Sequence, residues 1–112
     1  MADLPYEITA GDVKKRLDAG ERLMLIDVRE PGEHQICRID GAPLIPMRTV
    51  PERVQEIKAL ADESLLVVYC HHGMRSLKTV SWLREQGVAN CVSMSGGIEQ
   101  WSTKVDSKVP RY

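Results

Sequence analysis

A cysteine, two histidines, a glycine and an arginine follow one apolar stretch in the segment VVYCHHGMRS, residues 67–76. Cys70 is the candidate nucleophile, because the thiolate form of cysteine is the reactive one. Gly73 lets the backbone turn so that successive amides curve around one point, and Arg75 adds a permanent positive charge with a planar set of donors. The segment therefore predicts an anion-binding loop around a reactive sulfur.

Two other interpretations compete with a reactive loop, a packing role and a metal site. Cys70 can be a small core residue at the end of a strand, with His71 and His72 solvated at a loop tip. A metal site is disfavoured because these three residues are adjacent, whereas ligands in known sites are separated by two or more residues. No metal and no other cofactor is predicted, and Cys37 and Cys91 are expected to be packing residues.

The elements that position this loop follow from the alternation of short apolar runs with stretches of helical periodicity. Strands are predicted for YEI, LMLIDV, APLI, LLVVY and CVSM, which together make five. Helix starts are predicted at Thr9, Pro31, Thr49 and Ser76 and after the glycine pair at 96–97. This alternation indicates an α/β domain with a largely parallel sheet and helices on both faces. In such sheets the ligand site lies beyond the carboxyl ends of the strands, which is where Cys70 lies.

Composition narrows the class of protein. With 112 residues and 43% apolar content, the chain fits one domain over residues 1–112. The net charge of -1 comes from 15 basic and 16 acidic residues that are spread along the chain, so neither nucleic acid nor a membrane is the expected partner. Three widely separated cysteines, together with the lack of any signal-like or membrane-spanning run, favour a cytoplasmic location.

Four ordered motifs resemble those of the rhodanese sulfurtransferases. CHHGMRS is similar to the family's active-site loop, and the other three motifs are LIDVREPGEH (25–34), RIDGAPLIP (38–46) and SGGIEQW (95–101). The resemblance covers nearly the whole chain and implies a rhodanese-like three-layer domain with a mainly parallel, five-stranded central sheet. One departure is Arg38, which stands where the family usually has a histidine.

The resemblance implies a two-step transfer of sulfur. The Cys70 thiolate would attack thiosulfate or a similar sulfane donor, and the resulting persulfide would be held by the amides of residues 71–75. A thiol or cyanide would then accept the outer sulfur. The expected partners are thus a small sulfur-containing anion and a thiol acceptor.

Supporting roles are expected around the nucleophile. Arg75 would hold the leaving sulfonate, His71 and His72 would add positive potential when protonated, and Met74 would face the acceptor. Ser76 would start the next helix. Asp27 and Arg29 are either solvated turn residues or a charged pair that holds the loop from beneath, and the resemblance favours support. Glu30 and Glu33 are given no catalytic role.

Two other functions remain open. Phosphatases and arsenate reductases related to this fold place five residues between cysteine and arginine, whereas only HHGM intervenes here. The tighter ring favours a single persulfide sulfur over a phosphate. The tail WSTKVDSKVPRY resembles the ends of rhodanese domains that accompany adenylating enzymes, so a persulfide carrier that delivers sulfur to a partner protein is the second alternative.

Overall fold

Short strands alternate with helices throughout residues 4–112, the part of the chain that the computed structural model describes. The strands are β1 (Glu7–Thr9), β2 (Leu23–Asp27), β3 (Leu65–Tyr69) and β4 (Cys91–Ser95). The helices are α1 (Ala10–Asp18), α2 (Pro31–Ile36), α3 (Val54–Glu63), α4 (Met74–Glu85) and α5 (Gly97–Lys104), and a 3-10 helix (Met47–Arg53) precedes α3. The strand order is β1-β4-β3-β2 and every pair is parallel, which confirms the predicted α/β fold.

The sheet formed by residues 4–112 has four strands, so the expected fifth strand was wrong. The segment APLI makes only an isolated bridge, between Leu44 and Asp27 at the end of β2. Pro43 and Pro46 bracket this contact, and neither has a backbone N–H to donate to a ladder. The segment therefore runs beside β2 without extending the sheet.

Alternate residues of β3 face opposite helical layers, as expected for a central strand buried on both sides. Val67 and Tyr69 belong to the buried cluster that includes residues of α1 and α5. Leu66, Val68 and Cys70 belong to the cluster that includes residues of α3 and α4. The sheet thus lies between two helical layers, and the side chain of Cys70 lies on the α3–α4 side.

Helix starts agree with the sequence at α1 and differ at α4. Thr9 caps α1 as predicted, and its hydroxyl accepts a hydrogen bond from the Asp12 amide at 3.1 Å. The predicted cap at Ser76 was wrong, because α4 begins at Met74 with Gly73 as its N-cap. Gly73 has a φ of +107°, so the chain can turn into the helix before Ser76 is reached. Ser76 is therefore a buried residue of the first helical turn.

The helices are short, and α4 packs by one face. The longest α-helix, α4, has 12 residues, and the buried ones recur at helical spacing. Those buried residues are Ser76, Thr79, Val80 and Leu83. No helix within residues 4–112 has the length and apolar character needed to cross a membrane.

Candidate active site

The sulfur of Cys70 accepts hydrogen bonds from two backbone amides, one in the loop before α4 and one in the first turn of α4. The backbone amide of Gly73 donates to Sγ at 3.1 Å and that of Ser76 at 3.4 Å. Cys70 is only 1% exposed, so these donors act on the sulfur in a largely dry environment. Residues 71–75 were predicted to hold the sulfur, and the Ser76 amide lies just beyond that range. Two amides directed at one sulfur stabilise negative charge on it.

Close packing explains why residue 73 is a glycine. Its φ of +107° is unfavourable for a residue with a Cβ, and a Cβ built there would lie 3.1 Å from the backbone nitrogen of Gly96. Glycine therefore serves both the turn and the contact between the cysteine loop and the end of β4. As a result, the Gly73 amide is directed at the Cys70 sulfur.

The beginning of α5 fixes the same loop from the other side. The amides of Ile98 and Glu99 donate to the carbonyl oxygens of Cys70 and His71 at 2.9 and 3.1 Å. A Cβ on Gly97 would lie 2.5 and 2.3 Å from those two oxygens. The helix therefore anchors the loop carbonyls, a role that was missed although consecutive glycines before a helix were a visible signal.

A pair of buried hydroxyls lies beside the Cys70 sulfur. The Ser76 Oγ is 2.7 Å from the Ser93 Oγ and accepts from the Cys70 sulfur at 3.4 Å. It also donates to the carbonyl oxygen of Gly73 at 3.3 Å. All of these groups are buried. Ser76 therefore contacts the Cys70 sulfur from the first turn of α4 and is not the N-cap of that helix. Ser93 was missed, and its only signal was a polar residue inside an apolar strand.

Arg75 forms a two-pronged ion pair with Glu33. Its Nη1 and Nη2 donate to the Glu33 Oε1 and Oε2 at 2.7 and 3.0 Å. These hydrogen bonds lower the pKa of Glu33 to about 2, although partial burial opposes the shift, and the carboxylate raises the pKa of Arg75. The predicted anion-binding arginine is thus held by a carboxylate that the sequence had given no role. The two residues are 42 positions apart, so no local signal indicates the pair.

Asp27 and Arg29 form a fully buried pair, which rules out the solvated turn. The Arg29 Nε and Nη2 donate to the Asp27 Oδ1 and Oδ2 at 2.9 and 2.7 Å, and His34 Nδ1 lies 3.0 Å from Oδ2. Burial raises the pKa of Asp27, but the hydrogen bonds from Arg29 and His34 outweigh it and hold the pKa below its usual value. Arg29 also donates to the Cys37 carbonyl at 2.7 Å. The pair therefore contacts the segment that follows α2, and its support of the cysteine loop stays a prediction.

The side chain of Tyr112 connects these two ion pairs to the loop. Its hydroxyl donates to the Glu33 Oε2 at 2.7 Å and accepts from the Arg29 Nη1 at 3.0 Å. Its ring stacks on His71 at 3.9 Å between centroids, and His71 stacks on His72 at 4.0 Å. Burial is the main cause that raises the pKa of Tyr112 to about 12. Sequence reasoning missed this residue, because only the fold brings it to the site.

The remaining loop side chains differ in environment. The His71 Nε2 is buried and has no hydrogen-bond partner among the described residues. Burial, reinforced by the neighbouring His72, lowers the pKa of His71, which opposes the positive charge expected there. Met74 is 69% exposed at the start of α4, and its role toward the acceptor stays a prediction. Arg38 lies on the surface and donates to the His34 carbonyl at 3.3 Å.

Comparison with known proteins identifies the family. Residues 9–104 match the Rhodanese-like domain family. The chain is 33% identical to the probable adenylyltransferase/sulfurtransferase MoeZ of Mycobacterium tuberculosis over 94% of its own length and 26% of that protein's. It is also 33% identical to a sulfurtransferase of Allochromatium vinosum, over 86% of this chain and 87% of that one.

The fold comparison agrees. The crystal structure of a rhodanese-like domain protein from Staphylococcus aureus matches with a TM-score of 0.77 and 27% identity, covering 96% of this chain and 99% of that one. The chain belongs to the rhodanese-like domain family. It spans about a quarter of MoeZ, but nearly all of the Allochromatium and Staphylococcus proteins. Membership supports a sulfurtransferase or a sulfur carrier.

Proposed function

We propose that this protein transfers sulfane sulfur through a persulfide on Cys70. The observation that carries the proposal is the buried sulfur, to which the Gly73 and Ser76 amides donate. In the first step the Cys70 thiolate attacks the outer sulfur of a donor such as thiosulfate. A new S–S bond forms, the donor's S–S bond breaks, and sulfite leaves with the bonding electron pair. The amides then stabilise negative charge on the bound sulfur.

The second step returns the enzyme to its starting state. An acceptor thiolate, or cyanide in an assay, attacks the outer sulfur of the persulfide. The electron pair of the Cys70–sulfur bond returns to Cys70, and the product carries the sulfur away. Because donor and acceptor occupy the enzyme in turn, ping-pong kinetics are expected.

Steady-state kinetics test this function. Thiocyanate formation from thiosulfate and cyanide is measured while both substrates are varied, and parallel double-reciprocal lines are expected. Cys70→Ser should abolish turnover. Cys91→Ser is the matched control, because Cys91 is also a buried free cysteine but donates only to the carbonyl of Val88. Intersecting lines, or turnover that survives Cys70→Ser, would argue against a Cys70 persulfide.

A persulfide carrier is the second candidate. A match of 28% identity to the putative sulfur carrier protein YrkF of Bacillus subtilis, over 89% of this chain and 52% of that protein, favours it. In that function the outer sulfur passes to a protein acceptor, and turnover with small thiols is incidental. Protein loaded with radioactive sulfane sulfur is mixed with cyanide, with dithiothreitol or with a protein acceptor. Fast release to the small acceptors supports the enzyme. Slow release to them and rapid transfer to the protein supports the carrier.

A phosphatase or arsenate reductase is the less supported alternative. Four residues separate Cys70 from Arg75, and the Arg75 guanidinium is held by the Glu33 carboxylate, which repels a phosphate dianion. The test is hydrolysis of p-nitrophenyl phosphate by the wild type and Cys70→Ser. Hydrolysis that requires Cys70 would favour the phosphatase.

We also propose that the protein works in a reducing compartment such as the cytoplasm. Its three cysteines are free and buried. Persulfide chemistry requires Cys70 as a thiolate and a supply of thiol acceptors, which a reducing compartment maintains. Fluorescent tagging of the full-length protein tests this location.

A further inference from the structure

The arginines around the cysteine loop are each paired with a carboxylate. Arg29 pairs with Asp27 at 2.7 Å, Arg75 with Glu33 at 2.7 Å and Arg111 with Glu99 at 2.6 Å. The Glu99 amide binds the carbonyl of His71, so this third pair also adjoins the loop. The three pairs contribute no net charge. Attraction for an anion at this site therefore comes mainly from the backbone amides.

The carboxylate of Glu33 is fixed in place by several donors. It receives both terminal nitrogens of Arg75, the hydroxyl of Tyr112 at 2.7 Å and the backbone amide of Glu30 at 3.0 Å. Its side chain is only 22% exposed. Arg75 cannot present both terminal nitrogens to a bound anion without breaking this pair. A dianion at the site would meet a neutralised arginine and a fixed negative charge.

We propose that Glu33 is a specificity-determining residue, which biases the site against the dianion thiosulfate and toward organic persulfides, R–S–SH. The inference rests on the function proposed above and concerns only the choice of donor. Thiosulfate brings two negative charges toward the Glu33 carboxylate and departs as sulfite. A persulfide brings at most one charge on its sulfurs, so the repulsion is weaker for the organic donor.

The persulfide reaction balances without an oxidant or reductant from outside. The Cys70 thiolate attacks the terminal sulfur of R–S–SH and forms a new S–S bond. The donor's own S–S bond breaks, and R–S⁻ leaves with the electron pair of that bond. The terminal sulfur keeps its proton, so the products are Cys70–S–SH and a thiolate.

The test compares two donors with wild type and two glutamate variants. Thiosulfate and cysteine persulfide are used with the same acceptor, and kcat/KM is measured for each. Glu33→Gln removes the charge but keeps the shape. Glu56→Gln is the matched control, because Glu56 also holds an arginine by two hydrogen bonds, on the exposed surface away from the loop.

We expect wild type to prefer the persulfide donor and Glu33→Gln to shift that preference toward thiosulfate. Wild type should use cysteine persulfide at least tenfold more efficiently than thiosulfate. Glu33→Gln should raise the thiosulfate-to-persulfide ratio of kcat/KM about tenfold, which corresponds to about 1.4 kcal/mol, mostly through a lower KM for thiosulfate. Glu56→Gln should leave the ratio unchanged. Lost packing alone would not favour one donor.

Salt gives an independent readout. With Arg75 released, thiosulfate kcat/KM of Glu33→Gln should fall more steeply with ionic strength than that of wild type, because an unpaired charge is screened more strongly. An unchanged or lower ratio in Glu33→Gln, or an equal salt dependence, would overturn the inference.

Failure of the inference differs from failure of the proposed function. If wild type prefers thiosulfate, the donor inference fails without any variant having to fold, while a one-sulfur adduct on Cys70 still upholds the sulfurtransferase. If neither donor gives an adduct on Cys70, the proposed function itself fails.

Discussion

Replacing Gly97 by alanine tests whether the start of α5 holds the cysteine loop. Gly97 has a φ of +58°, and an added Cβ would lie 2.3 Å from the His71 oxygen and 2.5 Å from the Cys70 oxygen. The left-handed conformation costs alanine about 1–2 kcal/mol, and overpacking adds about 1–3 kcal/mol. We therefore expect Gly97→Ala to lose about 2–5 kcal/mol of unfolding free energy.

Gly20→Ala separates the backbone cost from the clash. Gly20 has a φ of +80°, but nothing lies within 4 Å of its added Cβ, so only about 1–2 kcal/mol should be lost. Urea unfolding measures both variants, and alkylation of Cys70 by iodoacetamide reports on the loop. Gly97→Ala should change the alkylation rate, whereas Gly20→Ala should not. The reasoning is refuted if the two variants are equally stable and alkylate alike.

Three further predictions concern charge and titration. Asp27→Asn should lower the free energy of unfolding, measured with urea, by about 3–5 kcal/mol, because it leaves the buried Arg29 unpaired. Asp18→Asn, in an exposed pair with Lys14, should lower it by about 1 kcal/mol or less. Equal losses in the two variants would contradict this prediction. The pKa of Glu33 is lowered to about 2, so its stabilisation should be complete above about pH 4.5 and be lost as the pH falls toward 2. The melting-temperature difference between wild type and Glu33→Gln should therefore shrink over that range, and a difference that persists at pH 2 would refute it. Tyr112→Ala should expose the His71 ring and raise its lowered pKa toward 6.5, as followed by NMR titration; an unchanged pKa would show that Tyr112 does not bury it.

Local signals were sufficient for most of the fold and for choosing Cys70 as the candidate nucleophile. Apolar runs and helical periodicity predicted every strand that the sheet contains, because each signal lies within one segment. The prediction of a strand at APLI was wrong. The apolar run suggests a strand, but the prolines at 43 and 46 have no backbone N–H to donate to a neighbouring strand. The prediction that Ser76 caps α4 was also wrong. Serine is a common N-cap residue, but the left-handed conformation of Gly73 lets α4 begin at Met74.

The ion pairs around the site could not be predicted, because they join residues from distant segments of the chain. Glu33 and Arg75 are 42 positions apart, and Tyr112 lies 79 positions from Glu33. A glutamate at a helix start is common because it interacts favourably with the helix dipole. The sequence therefore offers no reason to expect that Glu33 also pairs with Arg75. Only the fold shows that Arg75 is paired with Glu33, and the proposed donor preference is argued from this pair.

Intact mass spectrometry of the protein after exposure to a sulfane donor tests the central claim most directly. Purified wild type is incubated with excess thiosulfate or cysteine persulfide, beside Cys70→Ala and Cys91→Ala. The account predicts the addition of one sulfur atom to wild type and to Cys91→Ala, its removal by cyanide, and no addition to Cys70→Ala. An unmodified wild type with both donors, or an adduct that persists in Cys70→Ala, would contradict the Cys70 persulfide.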